Sequence, residues 1–180
     1  MIVYRPKGEE GYEWAQPVNE HDHRVFRQLR GQRVAGQWQP VRMRLLHEDE
    51  GQVFRHADIP SLGSSALLAL TRRAKDVLGD LLAVDCEILP LACDEEELWL
   101  VNPVLLTGAF DEQRSEFKRF ASSGRIMRVT RYAFHAQAVA GVRCFRIPEQ
   151  PPTFVTDDVV NAIQAADLRG VGFVPVWQDS

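Results

Sequence analysis

No stretch of this chain approaches the roughly 18 consecutive apolar residues that a membrane span requires. The opening MIVYRPKGEEGYEW has a few apolar residues and then charges. It lacks the apolar centre of a secretory leader, so the expected location is the cytoplasm. Cysteine is scarce: Cys86, Cys93 and Cys144 are odd in number and lie in or beside apolar runs. They read as buried free thiols of a reducing compartment, which excludes a disulfide-framed fold. Basic charge is not in excess either, with 21 Lys and Arg against 25 Asp and Glu and a net charge of -4. A dedicated nucleic-acid binder usually carries a basic face. This balance suits a partner that is itself basic.

The loops of phosphate chemistry are missing too. Ser61-Leu-Gly-Ser-Ser65 is the nearest candidate, and it has neither the P-loop lysine nor Gly-x-Gly-x-x-Gly spacing. Ser122-Ser123-Gly124-Arg125 reads as a turn between strands. No Gly-x-Ser-x-Gly elbow is present. The stretch EHDHRVFRQLRG, residues 20–31, places His21 and His23 around Asp22. A His-x-His pair on a strand directs both rings to one face, a real metal geometry. This context lacks strand character and offers no third ligand at a useful spacing. It reads as a solvated loop with a helical start at Arg24, so neither a metal nor a cofactor is expected. Cys86 and Cys93, seven apart, could meet across a turn, but a structural zinc needs two more ligands nearby. The acids after Cys93 disfavour a nucleophilic thiolate there.

What is there is an ordinary globular composition, 45% hydrophobic and 26% charged, which separates it from disordered chains. Residues 1–60 read as strands and loops. Met1–Tyr4 is a first strand, and 41–46 alternates as a half-buried strand does. Trp14 and Trp38 anchor the polar stretch between them, which should wrap the body of the protein. Thr71 is a plausible N-cap for an amphipathic helix with Ala74, Val77, Leu78 and Leu81 on one face. The preceding 66–70 could extend that helix or form a short buried strand. Further strands are expected at 84–91, 97–101, 103–106, 117–120, 125–134 and 142–147. Pro148–Pro152 should break the chain. Thr156 then caps a second helix with Asp157 and Asp158 in its first turn, an apolar face of Val160, Ile163 and Ala166, and Gly170 as its stop. A last strand, 171–177, contains Pro175 and so should lie at an edge or end early.

One order recurs: Ile-Pro, a loop, an apolar-Thr cap, an amphipathic helix, a strand. It starts at Ile59-Pro60 and again at Ile147-Pro148, and suggests two similar packing units. The expected fold class is α+β, antiparallel strands with two main amphipathic helices packed against them. A single domain over 1–180 is expected, with an N-terminal strand and loop region at 1–53 and a core at 54–177.

Acidic runs fall in the connections: Glu48-Asp49-Glu50, Asp94-Glu95-Glu96 with Glu97, and Asp111-Glu112. Several acidic loops on one domain could make a patch that steers and holds a basic partner. Trp38 joins them as a candidate contact, because hot spots favour tryptophan.

Three segments carry a resemblance: HADIPSLGSSALLALTRRAKDVLGDLL, RFASSGRIMRVTRYAF and FRIPEQPPTFVTDDVVNAIQAADLRGVGFVPVW. Its specific elements are the Asp58-Ile59-Pro60 turn, the Thr-capped helix after it, and the ending Phe154-Val-Thr-Asp157 with Gly170-Val-Gly-Phe173. Together they resemble immunity protein family eleven of bacterial polymorphic toxin systems, of myxobacterial type, over residues 54–177. The first fifty residues match no pattern. The resemblance implies a small cytosolic protein, not an enzyme, that neutralises a toxin by binding it. The toxin would be encoded next door and delivered by contact-dependent or type VI secretion. The family brings no catalytic residues. Two alternatives remain at this point: a metal-dependent hydrolase using the N-terminal histidines, and an adaptor of a secretion apparatus.

Overall fold

The computed structural model of the protein describes residues 1–63 and 66–179. The chain opens with β1 (Ile2–Gly8) and β2 (Trp14–Pro17). A 3-10 turn at Glu20–Asp22 leads into the short helix α1 (His23–Gln28). Then come β3 (Arg42–Leu46), β4 (Glu48–Asp49), β5 (Gln52–Val53) and β6 (Leu68–Thr71). Helix α2 (Arg72–Leu82) is followed by β7 (Cys86–Cys93), β8 (Leu98–Leu105), β9 (Glu116–Arg119) and β10 (Ile126–Arg131). The last third holds α3 (Ala136–Val139), β11 (Cys144–Ile147), β12 (Gln150–Thr156), α4 (Asp157–Ala165) and β13 (Val171–Gln178).

Nine strands form one sheet in the order β13-β1-β12-β11-β8-β7-β3-β2, with β6 also paired to β8. Strand β8 is the hinge of this arrangement. One edge pairs with β7, while the other carries β6 along Leu98–Val101 and β11 along Val104–Leu105. The expected antiparallel pairing holds for most neighbours. Two pairs, β3 with β7 and β8 with β11, run parallel. Their partners are far apart in sequence, and alternation along one strand carries no information about the direction of another.

Both faces of the middle of the sheet are covered. Leu68 and Leu70 of β6 join the core under α2 and α4, with Ala74, Leu78, Leu82, Val159, Val160 and Ile163. Ala69, between them, joins a second core with Phe26, Leu29, Met43, Leu89 and Leu100. Successive residues of a strand point to opposite faces, so a fully buried run such as β6 needs a layer on each side. This resolves the ambiguity at 66–70 in favour of a buried strand. A third, aromatic core gathers Phe110, Tyr132, Phe134, Phe145 and Phe154 at the far end. Phe134 meets Phe145 and Phe154 edge-on at ring separations of 5.6 and 5.4 Å, the geometry aromatic quadrupoles favour.

The two Thr-helix units are both present, and their helices pack on one another. The Thr71 hydroxyl accepts from the Ala74 N–H at 3.5 Å and donates to the Asp58 carbonyl at 3.0 Å. Thr156 sits at the N-cap of α4, but its hydroxyl turns to the Arg143 carbonyl and makes no cap bond. Asp157 and Asp158 do occupy the first turn of α4.

Several expectations are corrected. Gly170 does not stop α4: the helix ends at Ala165, and Asp167 takes the left-handed turn with φ of 52°. The buried face of α4 is Val159, Val160 and Ile163, with Ala166 only partly buried. The strand expected as two pieces around Asn102 is one, because the Asn102 amide donates to Gln32 O and Glu87 Oε2, both at 2.9 Å. The expected break over Pro148–Pro152 is confined to a turn at Pro148–Glu149 between β11 and β12, and Pro151 and Pro152 lie within β12, away from the ladder rungs at Ile147–Gln150 and Phe145–Phe154. Cys86 and Cys93 do not meet across a turn; they stand at the two ends of β7. The loop at 60–65 lies partly outside the described residues. Pro175 does lie on an edge strand, β13.

The N-terminal stretch does wrap the body. Glu87 accepts from the Val34 and Ala35 N–H groups at 2.8 and 3.0 Å. Burial alone would raise the Glu87 pKa, but these N–H groups and Asn102 outweigh it and hold the carboxylate below its usual range.

Candidate partner-binding surfaces

The parallel pairing of β3 with β7 sets Met43 opposite Cys93, so both strands deliver their following residues to one end of the sheet. There Glu95 reaches the Leu45 N–H and His47, the residue just before Glu48. The β4–β5 hairpin turns through Glu50 and Gly51, whose φ angles are 47° and 81°. Positive φ at both central residues matches the right-handed twist of the flanking strands, and only glycine and a few tolerant residues adopt it readily. Glu48, Asp49 and Glu50 are exposed and make no ion pair among the described residues. Asp94 pairs with Arg42 at 3.3 Å, with both side chains in solvent.

Glu95 is different. One of its oxygens accepts from the Leu45 N–H at 3.2 Å and the other lies 2.5 Å from Nε2 of His47. The Nδ1 of His47 lies 2.9 Å from Glu13. Glu13 is 3% exposed, and its second oxygen accepts from the Ala57 N–H at 3.0 Å and meets His56 Nδ1 at 2.6 Å. This Glu95–His47–Glu13–His56 chain staples the acidic end to the start of β2 and to the Asp58 turn. The hydrogen bond to Glu95 raises the pKa of His47, against some desolvation, and Glu13 adds to the rise. The same bond lowers the pKa of Glu95. Residues 34 to 50 positions apart make these contacts, so no local motif announces them.

Trp38 flanks this end. Its indole N–H donates to the Pro90 carbonyl at 2.7 Å and its ring packs on the second core. It lines an open groove of about 730 Å³ with Val25, Leu29, Val34, Pro40 and Arg42. Trp38 is therefore partly core and partly groove wall. Asp111 and Glu112 are not brought to the acidic end. Asp111 is 6% exposed and its Oδ1 accepts from the Gln113 and Arg114 N–H groups at 3.0 and 3.1 Å, the signature of a turn-forming aspartate. Glu112 pairs with Arg119 at 2.6 Å beside the β9–β10 hairpin.

His21 lies in the 3-10 turn capped by Asn19, and His23 begins α1. Their backbone is helical, so the strand geometry that would align two imidazoles is absent. Among the described residues, no group of three or more His, Cys, Asp or Glu side chains is placed to hold a metal ion. In the Glu13–His47–Glu95 chain both imidazole nitrogens of His47 face carboxylates. Cys86, Cys93 and Cys144 are free thiols; Cys144 is fully buried, and its hydrogen bond with Cys86 and its burial push its pKa well up. Among the described residues, no helix is long and apolar enough to cross a membrane.

The family model described as Immunity protein family (Imm11) matches residues 8–178. It takes in most of the N-terminal region that the resemblance in sequence left out. No curated protein matches the chain.

Proposed function

The chain belongs to the Imm11 immunity protein family, and from that premise we propose that it binds and inhibits a cognate toxin, by contact and without catalysis of its own. The family match over residues 8–178 is the observation that carries this reading. The partner is a toxin of the polymorphic type, encoded beside this chain and met in the cytoplasm after delivery by a neighbouring cell, through type VI or contact-dependent secretion. A single folded unit presents the contact surface.

Part of that surface is the acidic end. In this reading it comprises Glu48, Asp49, Glu50, Asp94 and Glu96 on either side of the Glu95–His47 contact, with Trp38 in the groove beside Arg42. Carboxylates grouped on one surface raise the encounter rate with a basic domain, and a part-buried indole at a groove supplies apolar contact. Asp111 and Glu112 are left out of it: Asp111 is buried, and Glu112 stands with Arg119 beside the β9–β10 hairpin.

The test is co-expression of this chain with the toxin encoded by the adjacent gene. Protection of growth and a co-purifying complex of nanomolar affinity, on the order of -12 kcal/mol, are expected. Loss of growth with no complex would overturn the reading. Pull-down of secretion-apparatus components without protection would replace it with an adaptor role.

A further inference from the structure

The chain is acidic overall, yet one segment is the reverse. Between Arg114 and Arg131 the sequence holds Arg114, Lys118, Arg119, Arg125, Arg128 and Arg131 against the single acid Glu116. This is the β9–β10 hairpin, which pairs only with itself. Its inner side chains Phe117, Ile126 and Val129 pack on the aromatic core. Outward it leaves Phe120 45% and Met127 47% exposed. Arg119 pairs with Glu112 at 2.6 Å and Arg131 with Glu116 at 3.1 Å. Arg114 is 4.0 Å from Asp111. Among the described residues, Lys118, Arg125 and Arg128 have no carboxylate partner.

Beside the hairpin lies an open cleft of about 710 Å³, walled by Phe120, Met127, Arg125, Leu105 and Arg30 and floored by the β11–β12 turn. Arg146 is at its base, 6% exposed. Its Nε and Nη2 donate to the Pro151 carbonyl at 3.2 and 2.9 Å, and Nη1 donates to the Leu29 carbonyl. No carboxylate meets it among the described residues. Burial and then the nearby Arg30 push its pKa down, as expected of a cation whose charge is poorly compensated. The cleft also holds Glu149.

We propose that this cleft is the docking site for an extended acidic segment of the partner protein. Carboxylates of that segment meet Arg30, Arg125 and Arg146, and an apolar side chain rests on Phe120, Met127 and Leu105. Four arginines against two glutamates line the cleft, and Glu112 is already engaged by Arg119, so the charge left over is positive. A peptide fits better than a nucleic acid. It brings apolar side chains for the exposed Phe120 and Met127 walls, which a phosphodiester backbone lacks. The identity of the partner as a toxin rests on the immunity reading above; the chemistry of the cleft does not.

Two arms test this. In the first, the ¹⁵N-labelled full chain is titrated with a synthetic peptide of alternating Glu and Leu, with its Gln-Leu counterpart, and with an oligothymidylate. Saturable amide shifts confined to 105, 116–131 and 146–151, seen with the Glu peptide alone and weakened several-fold by raising salt, are expected. The exposed double variant Arg30→Glu/Arg125→Glu should lower the affinity about tenfold. No shifts, equal shifts with the Gln peptide, or preference for the oligonucleotide would overturn the proposal. In the second arm the purified toxin is titrated with wild type and the same variant. Equal affinities would overturn the cleft and leave the immunity reading standing. Binding of the Glu peptide with no binding of the toxin would do the opposite. Both substituted arginines are exposed, and Met127→Glu, also on the surface, gives an independent variant that should weaken binding.

Discussion

His47 and Glu95 join through a 2.5 Å contact between Nε2 and a carboxylate oxygen, while the opposite ring nitrogen of His47 faces the buried Glu13 at 2.9 Å. Only the imidazolium can donate from both nitrogens at once. The folded chain therefore raises the His47 pKa above 6.5, chiefly through Glu95. A group raised in this way stabilises fully below its unfolded pKa, and the stabilisation is lost as pH rises through the folded value. Glu95 is lowered from 4.5 by the same bond, so its contribution is present above that value and lost as pH falls through the folded one. The pair stabilises best between the two. Urea unfolding should show wild type losing stability from pH 6 to pH 9 relative to His47→Gln. His47 is about half exposed, so solvent screening holds the difference to about 1 kcal/mol or less. Parallel curves for the two proteins would refute the linkage.

Asp58 is 4% exposed and gathers a small hub. Its Oδ2 accepts from Arg73 Nη1 at 2.8 Å and from the Arg169 N–H at 2.9 Å. Its carbonyl accepts from both the N–H and the hydroxyl of Thr71, each at 3.0 Å. It ties the start of α2 to the segment that leads from α4 into β13. Asp58→Ala should destabilise by about 2 kcal/mol, because it removes two charge-assisted bonds accepted by a buried carboxylate. Chemical denaturation measures it; a change under about 0.5 kcal/mol would show that the hub is decorative.

Gly170 has φ of 97°, and a Cβ built on it would lie 2.5 Å from the Cβ of Ala57. Backbone strain and overlap act together there, so Gly170→Ala should cost at least about 2 kcal/mol. The paired variant Gly170→Ala/Ala57→Gly relieves the overlap and leaves the strain, and should recover part of the loss. Full recovery would mean that backbone strain contributes nothing.

Charge reversal at the acidic end should separate steering from folding. Glu48→Lys/Asp49→Lys/Asp94→Lys alters exposed side chains, so stability should shift by less than about 1 kcal/mol. Association with a basic toxin should slow roughly tenfold or more at low salt, with the effect fading as salt rises. Stopped-flow association rates read this directly. An unchanged rate would move the contact away from this end.

Much of the fold is legible along the chain. Thr71 followed by Ala74 and Leu78 marks α2, and Thr156 followed by two aspartates marks α4, because caps and helix periodicity are local properties. The strands of the second half are legible by alternation. The Gly170 stop is a misreading for a plain reason: glycine marks left-handed backbone, but it also marks close approach, and here Ala57 is what it approaches. The split around Asn102 fails similarly. A polar residue looks like a break until Gln32 and Glu87 are found to receive its amide.

By itself the sequence determined the mixed helix and strand composition, the two main helices and their order, the edge position of the last strand, and the family. These follow from neighbours within a few residues or from the order of many weak signals. Only the tertiary structure decided which charges stand together. It brought Glu95 to His47 through a parallel pairing of strands that local alternation cannot reveal. It buried Asp111 and set Glu112 with Arg119 beside the β9–β10 hairpin. It also set Arg146, buried and without a carboxylate, behind a basic hairpin in a chain whose net charge is negative. Charge is additive along a sequence, but the field a partner meets depends on distances across the fold, and those exist only once the strands are paired.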